Sequence, residues 1–521
     1  MITRIALFCV CLMMCSPVPA GAQEGVPPRL DDYVERVRAA FDVPGIGLAI
    51  VRDGKVVVAR GFGVRKLGNP APVDAGTLFG IASNTKAFTA SAIGMLVEEG
   101  KLEWDAPVIR YLPWFRLSDP YVTREMTVRD LLVHRSGLGL GAGDLLWWPA
   151  STYNRKEIAR RLGAIPLAAS FRSKYAYDNV LYIVAGELIE AVSGMSWEDF
   201  VTRRILEPVG MKTTTVRHST AGEGADAATP HAPVEGVVRP VAAFTSDNTN
   251  PAGGINSSAA EMAQWLIVQL DSGRVPGGGR LFSPATTRQL WSLVTPMGIG
   301  NPPPELADLR RNFNGYALGF GVHDYRGYKI VQHTGGLPGY VSEVTMVPAL
   351  RLGIVVLTNQ ESGDAFEALT LHILDYYLGG GSRDWVGAFR RLAARRDSMV
   401  AAADTHTASG RDSARGPSLP LERYAGKYSD PWYGDVDILY ANGALRIRFD
   451  HTPSLEGVLL HWQYDTFVAR WDDRELRADA FVTFSLNPDG SIDRVAMKSR
   501  SPATDFSFDF QDLHLVPAAG R

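Results

Sequence analysis

Residues 80–102 read GIASNTKAFTASAIGMLVEEGKL, and the lysine inside this stretch decides how the rest of the chain is understood. From Ala87 onward Phe88, Ile93, Leu96 and Val97 recur at helical spacing, and Gly100 stands where a helix would stop, so the pattern predicts a helix. Steps of three and four residues link Ser83, Lys86, Ala90, Ile93 and Val97, which puts a hydroxyl and an amine on the face that carries core residues. Lys86 is therefore expected to point inward. Burial disfavours an ammonium and lowers its pKa towards neutrality, which is what a general base for the neighbouring hydroxyl requires. The plainer alternative is a lysine at a helix start that snorkels to solvent, and an isolated Ser-x-x-Lys is more often that.

The rest of the chain must then supply the groups a serine nucleophile needs. The 521 residues are 46% hydrophobic and 21% charged, enough for a large core and more than one domain. The formal net charge is -3 with no long run of either sign, which argues against nucleic acid as a partner. Residues 1–22 read as a secretory signal: Arg4, an apolar stretch from Ile5 to Cys15, and Ala20-Gly21-Ala22 as a small-residue cleavage site before Gln23. Cys9, Cys11 and Cys15 all lie in that segment, so the mature chain is expected to have neither disulfide nor thiol chemistry. Met14 before Cys15 is bulkier than a lipidation site favours. No later apolar run has the length of a membrane span, and a periplasmic or secreted location is expected.

The stretch GIGLAIVRDGKVVVARGFG gives two strand-like runs about the turn Asp53-Gly54. Helices and loops dominate from about Asp105 to Gly315, including a helix opened by a capping box of Ser258 and Glu261. The segments YKIVQHTGG, YVSEVTMVP and RLGIVVLTN read as three more strands, followed by a helix from about Asp364 to Leu378. This order predicts an α+β unit over residues 23–385, in which an antiparallel sheet is built from both ends of the segment and a helical insertion lies between them. Residues 386–419 start as a charged helix and become a linker rich in Ala, Ser, Asp, Arg and Gly. Residues 420–521 alternate like strands, with turns at Asn442-Gly443 and Asp489-Gly490, and predict a separate all-β barrel or sandwich.

Two further segments fit a serine nucleophile. In SKYAYDNVLYIVAGELIE, Tyr177 and Asn179 stand ahead of a helix, where a loop can aim a phenol and an amide into a cleft. Near cationic groups the phenolate would be favoured, making Tyr177 a base or proton relay. A packed tyrosine, and Asn179 or Asp178 as a helix cap, read equally well. The second segment is His333-Thr334-Gly335-Gly336 at a strand end, where glycines let a substrate backbone approach and His333 and Thr334 offer donors. Taken alone, that tetrapeptide is more simply a turn with an exposed histidine.

Ser-x-x-Lys, Tyr-x-Asn and His-Thr-Gly in this order are a specific combination. With LLVHRSGL at 131–138 and NPAGGINSS at 250–258, the chain from about Asp31 to Gly379 resembles a family of serine hydrolases. That family includes class C β-lactamases, low-molecular-weight DD-peptidases, D-aminopeptidases and related esterases. The resemblance implies a β-lactamase/DD-peptidase-like fold with Ser83 as the acylated nucleophile, Lys86 as its base partner and Tyr177 as the second proton carrier. It implies that Asn179 binds the substrate amide and that His333, Thr334 and Gly335 stand where these β-lactamases have Lys-Thr-Gly. The oxyanion hole would use the backbone N–H of Ser83 and of Gly336. His-Thr-Gly is more like the peptidases and esterases, and a histidine there would hold a substrate carboxylate best in mild acid. Asp178 adds a negative charge beside the site. The tail resembles a lipocalin-like domain attached to some of these hydrolases, which implies a role in forming a homo-oligomer or in covering the cleft, and Trp147 and Trp148 would line that cleft.

Other chemistries find less support. The ten histidines show no metal-ligand spacing, so neither metal nor cofactor is expected, and no Gly-x-Ser-x-Gly elbow occurs. The expected substrate is a small molecule or peptide, most naturally a D-amino-acid peptide or a carboxylic ester. A class C-like β-lactamase and a non-catalytic penicillin-recognising receptor are the alternatives.

Overall fold

The computed structural model describes residues 25–518 apart from Glu223, Ala225, Ser382 and Ser413; the expected signal segment lies outside the described residues. A nine-stranded sheet, antiparallel throughout, forms the frame of the first unit. The strand Gly45–Arg52, third from one edge, is flanked by Lys55–Lys66 and by Leu352–Thr358, so the two ends of the segment meet as the sequence predicted. The sheet continues through Tyr340–Val347 and Tyr328–Leu337 to Gly321–Tyr325 and shorter strands. Gly45–Val51 is buried without alternation because helices cover both faces. On one face Leu30–Ala40, Gly363–Tyr377 and the start of Trp385–Ser409 pack together, and on the other lie Thr85–Glu98 and Ala259–Leu270. Asp53 and Gly54 both adopt positive φ, 49° and 74°, as a two-residue hairpin turn demands.

The insertion between the outer strands is largely helical, and it also carries a hairpin of His231–Val234 with Val237–Pro240. Its helix Ala259–Leu270 starts at Ser258, whose hydroxyl accepts from the Glu261 N–H at 3.3 Å. The expected reciprocal bond of the capping box is absent. The Glu261 carboxylate instead accepts from the N–H groups of Thr213 and Thr214 at 2.9 and 2.8 Å.

The charged segment after the sheet unit is a 25-residue helix, Trp385–Ser409, longer than the sequence suggested. Beyond it a seven-stranded antiparallel meander runs from Gly426–Asp430 to Ile492–Ser499, and an eighth strand, Val516–Pro517, pairs back onto the first. A bridge between Val495 and Leu515 nearly closes this sheet into a barrel. Its interior is packed with aromatic rings, among them Tyr424, Phe449, Phe467, Trp471 and Phe484. The loop 500–515 sends Phe510 into that interior, where it stacks on Trp471 at 5.9 Å. One continuous apolar cluster joins the barrel to the helical insertion, so the two units share a core.

Candidate active site

The helix Thr85–Glu98 is buried on every side from Thr85 to Leu96, which replaces the one-sided stripe read from the sequence. It is the central helix of the insertion. A 3-10 turn, Ala82–Asn84, precedes it, and from Phe79 to Leu96 only Ser83 is accessible. Ala82 holds φ at 49°, a left-handed conformation that costs a non-glycine residue on the order of 1 kcal/mol or more. That strain turns the Ser83 hydroxyl outward while the residues on either side stay packed.

Lys86 has no solvent exposure. Its Nζ lies 2.9 Å from Ser83 Oγ, 2.8 Å from Asn179 Oδ1 and 2.9 Å from the Ala252 carbonyl oxygen. It also sits 5.0 Å from the ring centre of Tyr177 and 5.2 Å from that of Tyr182. Desolvation lowers its pKa from 10.5 to about 7, against the opposing pull of Asp144 and Asp178. The amine is thus half neutral near pH 7 and in contact with the hydroxyl it would deprotonate. The snorkelling alternative is excluded by this burial.

Asn179 forms no cap on the helix it precedes, which removes the capping alternative. Its oxygen takes the Lys86 bond, and its Nδ2 donates to Asp144 Oδ2 at 2.9 Å. Tyr177 hydrogen-bonds with Ser83, but its pKa lies well above the usual phenol value because burial penalises the phenolate. The expected phenolate is therefore corrected to a neutral phenol, a donor for a leaving group. Asp178 is also buried. Desolvation raises its carboxyl to about 7, with Ser136 donating to it at 3.0 Å, so it carries less than the full charge expected.

The third motif departs most from expectation. His333 donates from Nδ1 to the Thr334 carbonyl oxygen at 2.5 Å and accepts at Nε2 from the Tyr316 hydroxyl at 2.7 Å. Both ring nitrogens are used, and burial, with Lys86 nearby, lowers its pKa to about 3. His333 is therefore neutral, and the expected mild-acid capture of a carboxylate by this residue does not hold. Gly335 is also placed differently. A Cβ there would lie 2.3 Å from the Ile81 carbonyl oxygen and 3.0 Å from Ala82 Cβ, so the missing side chain lets the nucleophile turn pack against the strand. Gly336 faces open space and, with Thr334, lines the cleft. Strand Gly321–Tyr325 pairs with its neighbour only as far as Gln332, whereas Tyr340–Val347 pairs on to Leu337. Beyond Gln332 one edge of the strand is left unpaired by the described strands, beside Ser83 and open to an extended substrate backbone.

The cleft encloses about 370 Å³ and is lined by Ser83, Trp147, Trp148, Tyr177, Asn179 and Phe506, among others. It opens past Trp148, Gly336 and Asp505 into a chamber of about 940 Å³ between the two units. Loop residues Pro149, Ala242 and Ala243 border that chamber. Arg311 supplies a cation at the other end of the cleft.

Among the residues of this site that escaped the sequence reading are Asp144, Arg311, Tyr316, Phe506 and Ser507. A signal for the last two does exist, because TDFSFDFQD at 504–512 alternates acids and phenylalanines more regularly than a solvated loop would. Among the described residues no cluster of histidine, cysteine and carboxylate side chains could hold a metal ion. No single described helix is long and apolar enough to cross a membrane; a bent pair, Val180–Ser193 with Trp197–Val209, passes by length and composition, and its first helix is mostly core.

Comparison with known proteins matches the features just described. A family profile described as Beta-lactamase covers residues 30–377, and a domain of unknown function (DUF3471) covers 411–517. A hydrolase of Aspergillus violaceofuscus, "Unguisins hydrolase ungD", is 29% identical over 86% of this chain and 84% of its own length. The fold is shared with the octameric penicillin-binding protein homologue of Pyrococcus abyssi, at a TM-score of 0.58 and 21% identity over 94% of this chain and 99% of that one. It is also shared with the D-amino acid amidase of Ochrobactrum anthropi SV3, at a TM-score of 0.55 and 22% identity over 67% of this chain and 98% of that one. With two thirds of its length matched and a buried lysine against an accessible serine, the chain belongs to the beta-lactamase family and is a serine hydrolase.

Proposed function

We propose that this protein hydrolyses an amide or ester bond through an acyl-Ser83 intermediate, acting on peptides that contain D-amino acids or on carboxylic esters. The observation that carries the reading is the 2.9 Å contact between Ser83 Oγ and a Lys86 amine that is half neutral near pH 7. In this mechanism Lys86 takes the proton as Ser83 attacks the carbonyl carbon, and the tetrahedral oxyanion is met by the N–H groups of Ser83 and Gly336. Tyr177, a neutral phenol, hands its proton to the departing nitrogen or oxygen, and the Lys86 ammonium, which holds the proton taken from Ser83, returns one to the tyrosinate. Water then cleaves the acyl-serine, with the neutral Lys86 amine taking the water's proton and returning it to Ser83 Oγ as that oxygen leaves.

An extended backbone fits along the free strand edge from His333 to Leu337. The chamber past Gly336 gives room for residues beyond the scissile bond, which favours a peptide over a small drug. The D-amino acid amidase among its structural neighbours supports the same substrate class. Export with removal of residues 1–22, and self-association through the barrel unit, complete the proposal.

Intact-mass measurement tests it. Wild-type protein incubated with a penicillin or a D-amino-acid nitrophenyl ester should gain one acyl mass, and Ser83→Ala should gain none. An equal adduct on both would refute the assignment of Ser83. A native spectrum of the exported chain reads both the cleavage before Gln23 and the oligomeric state.

A further inference from the structure

The loop 500–515 belongs to the barrel yet reaches the catalytic lysine in three hydrogen-bonded steps. Phe510 anchors it inside the barrel, and the buried Asp509 carboxyl accepts from the N–H groups of Gly143 and Leu145 at 2.7 and 2.9 Å. Between that clamp and the cleft, Ser507, 4% exposed, donates from Oγ to Asp144 Oδ2 at 2.8 Å. Asp144 has no exposure, and its other oxygen accepts from Trp147 Nε1 at 2.9 Å. Oδ2 also receives Asn179 Nδ2 at 2.9 Å, and Asn179 Oδ1 in turn meets Lys86 Nζ at 2.8 Å.

The direction of these bonds carries the argument. A primary amide has one acceptor end and one donor end. Because ionised Asp144 accepts only, it binds the donor end of Asn179 and leaves the oxygen turned to Lys86. Three donors converge on Asp144 and all favour its charged form, against the desolvation that pushes its carboxyl up to about 7. The Ser507 hydroxyl is the one of the three that comes from the barrel.

We propose that Ser507 is a positioning residue of the catalytic centre: by holding Asp144 as a carboxylate it fixes the orientation of Asn179 and sets the proton affinity of Lys86. The barrel unit thereby completes the active site of the hydrolase unit. This rests on the reading of Lys86 as the base for Ser83.

The groups that face Lys86 allow the sign to be worked out. Asp144 and Asp178 stabilise its ammonium form. His134, His218 and His333 are held neutral by burial, with their pKa values lowered, and contribute no compensating charge change near pH 7. Tyr177 and Tyr182 stay protonated. Burial and the neighbouring Asp144 raise the Asp509 carboxyl well above the usual carboxylate range. Losing the Ser507 bond raises the Asp144 pKa further, so less negative charge faces Lys86 near pH 7 and the lysine pKa falls.

The test uses the full-length protein with 13C-labelled lysine side chains, the Lys86 signal being identified by its loss in Lys86→Met. The Lys86 titration midpoint should drop by about one pH unit in Ser507→Ala and return in Ser507→Thr, which keeps the hydroxyl. The acid limb of nitrophenyl ester hydrolysis should move the same way. An unchanged midpoint in Ser507→Ala, or an equal shift in both variants, overturns the proposal. If Ser507→Ala does not fold, Asp144→Asn keeps the shape and removes the charge, and a midpoint that then stays in place overturns it equally. The NMR readout needs no turnover, so an inactive wild-type protein would refute the acyl-serine reading while leaving the Ser507 titration legible.

Discussion

Lys86→Met should make the protein relatively more stable in acid and relatively less stable in base, because the buried amine is a site of stored cost. The wild-type amine titrates near 7 when folded and near 10.5 when unfolded. Between those values the unfolded chain binds more protons, so wild-type stability rises with pH at about 1.4 kcal/mol per unit. Over the whole interval the ionic penalty amounts to about 5 kcal/mol, fully present below pH 7 and gone above pH 10.5. Methionine fills the same volume without the charge and so lacks this dependence. Its cost is a fixed offset, on the order of 1–3 kcal/mol for each buried acceptor left without a donor, here Asn179 Oδ1 and the Ala252 carbonyl. Loss of the ammonium also raises the pKa of Asp144 and Asp178, which weakens the variant further as pH rises and so acts in the same direction. Urea unfolding of both proteins from pH 6.5 to 9.5 measures the difference directly. A difference that stays flat, or that grows in favour of the variant with rising pH, would refute a depressed lysine pKa and with it the argument that burial prepares the base.

Gly335→Ala should lower kcat/KM by roughly 100-fold, because its Cβ would meet the Ile81 carbonyl at 2.3 Å and push the nucleophile turn off its strand. Gly336→Ala has open space for its methyl and should leave the melting temperature unchanged while raising KM, and steady-state kinetics with thermal melts separates the two. For an anionic substrate, His333→Gln should leave the change in KM between pH 7 and pH 5 as it is in the wild type, since His333 gains its proton only near 3; a drop in KM seen in the wild type alone would show a cationic histidine.

Much of this was legible in the chain because it depends on local order. The Asp53-Gly54 turn, the helix stop at Gly100 and the strand at 328–337 follow from residue types at short spacing. The three motifs likewise named Ser83, Lys86, Tyr177 and Asn179, and the structure brings all four within one hydrogen-bonded group. The ionisation of Tyr177 and His333 was not legible, because a pKa is set by what surrounds a group in three dimensions. Tyr316, which occupies the second His333 nitrogen, lies 17 residues away. The contribution of Gly335 was hidden for a similar reason: it depends on how closely the turn at Ile81 approaches a strand from the other end of the unit.

The sequence by itself determined the chemistry available to this protein: a serine with a lysine one turn away, a tyrosine and an amide on a loop, and a glycine-rich strand end. Only the tertiary structure decided how that chemistry is tuned. Ser507 lies 363 residues from Asp144, and no periodicity links them. Their contact exists because a barrel packed on aromatic rings presses one loop against the insertion, where burial raises the Asp144 carboxyl and each of its three donors opposes that rise.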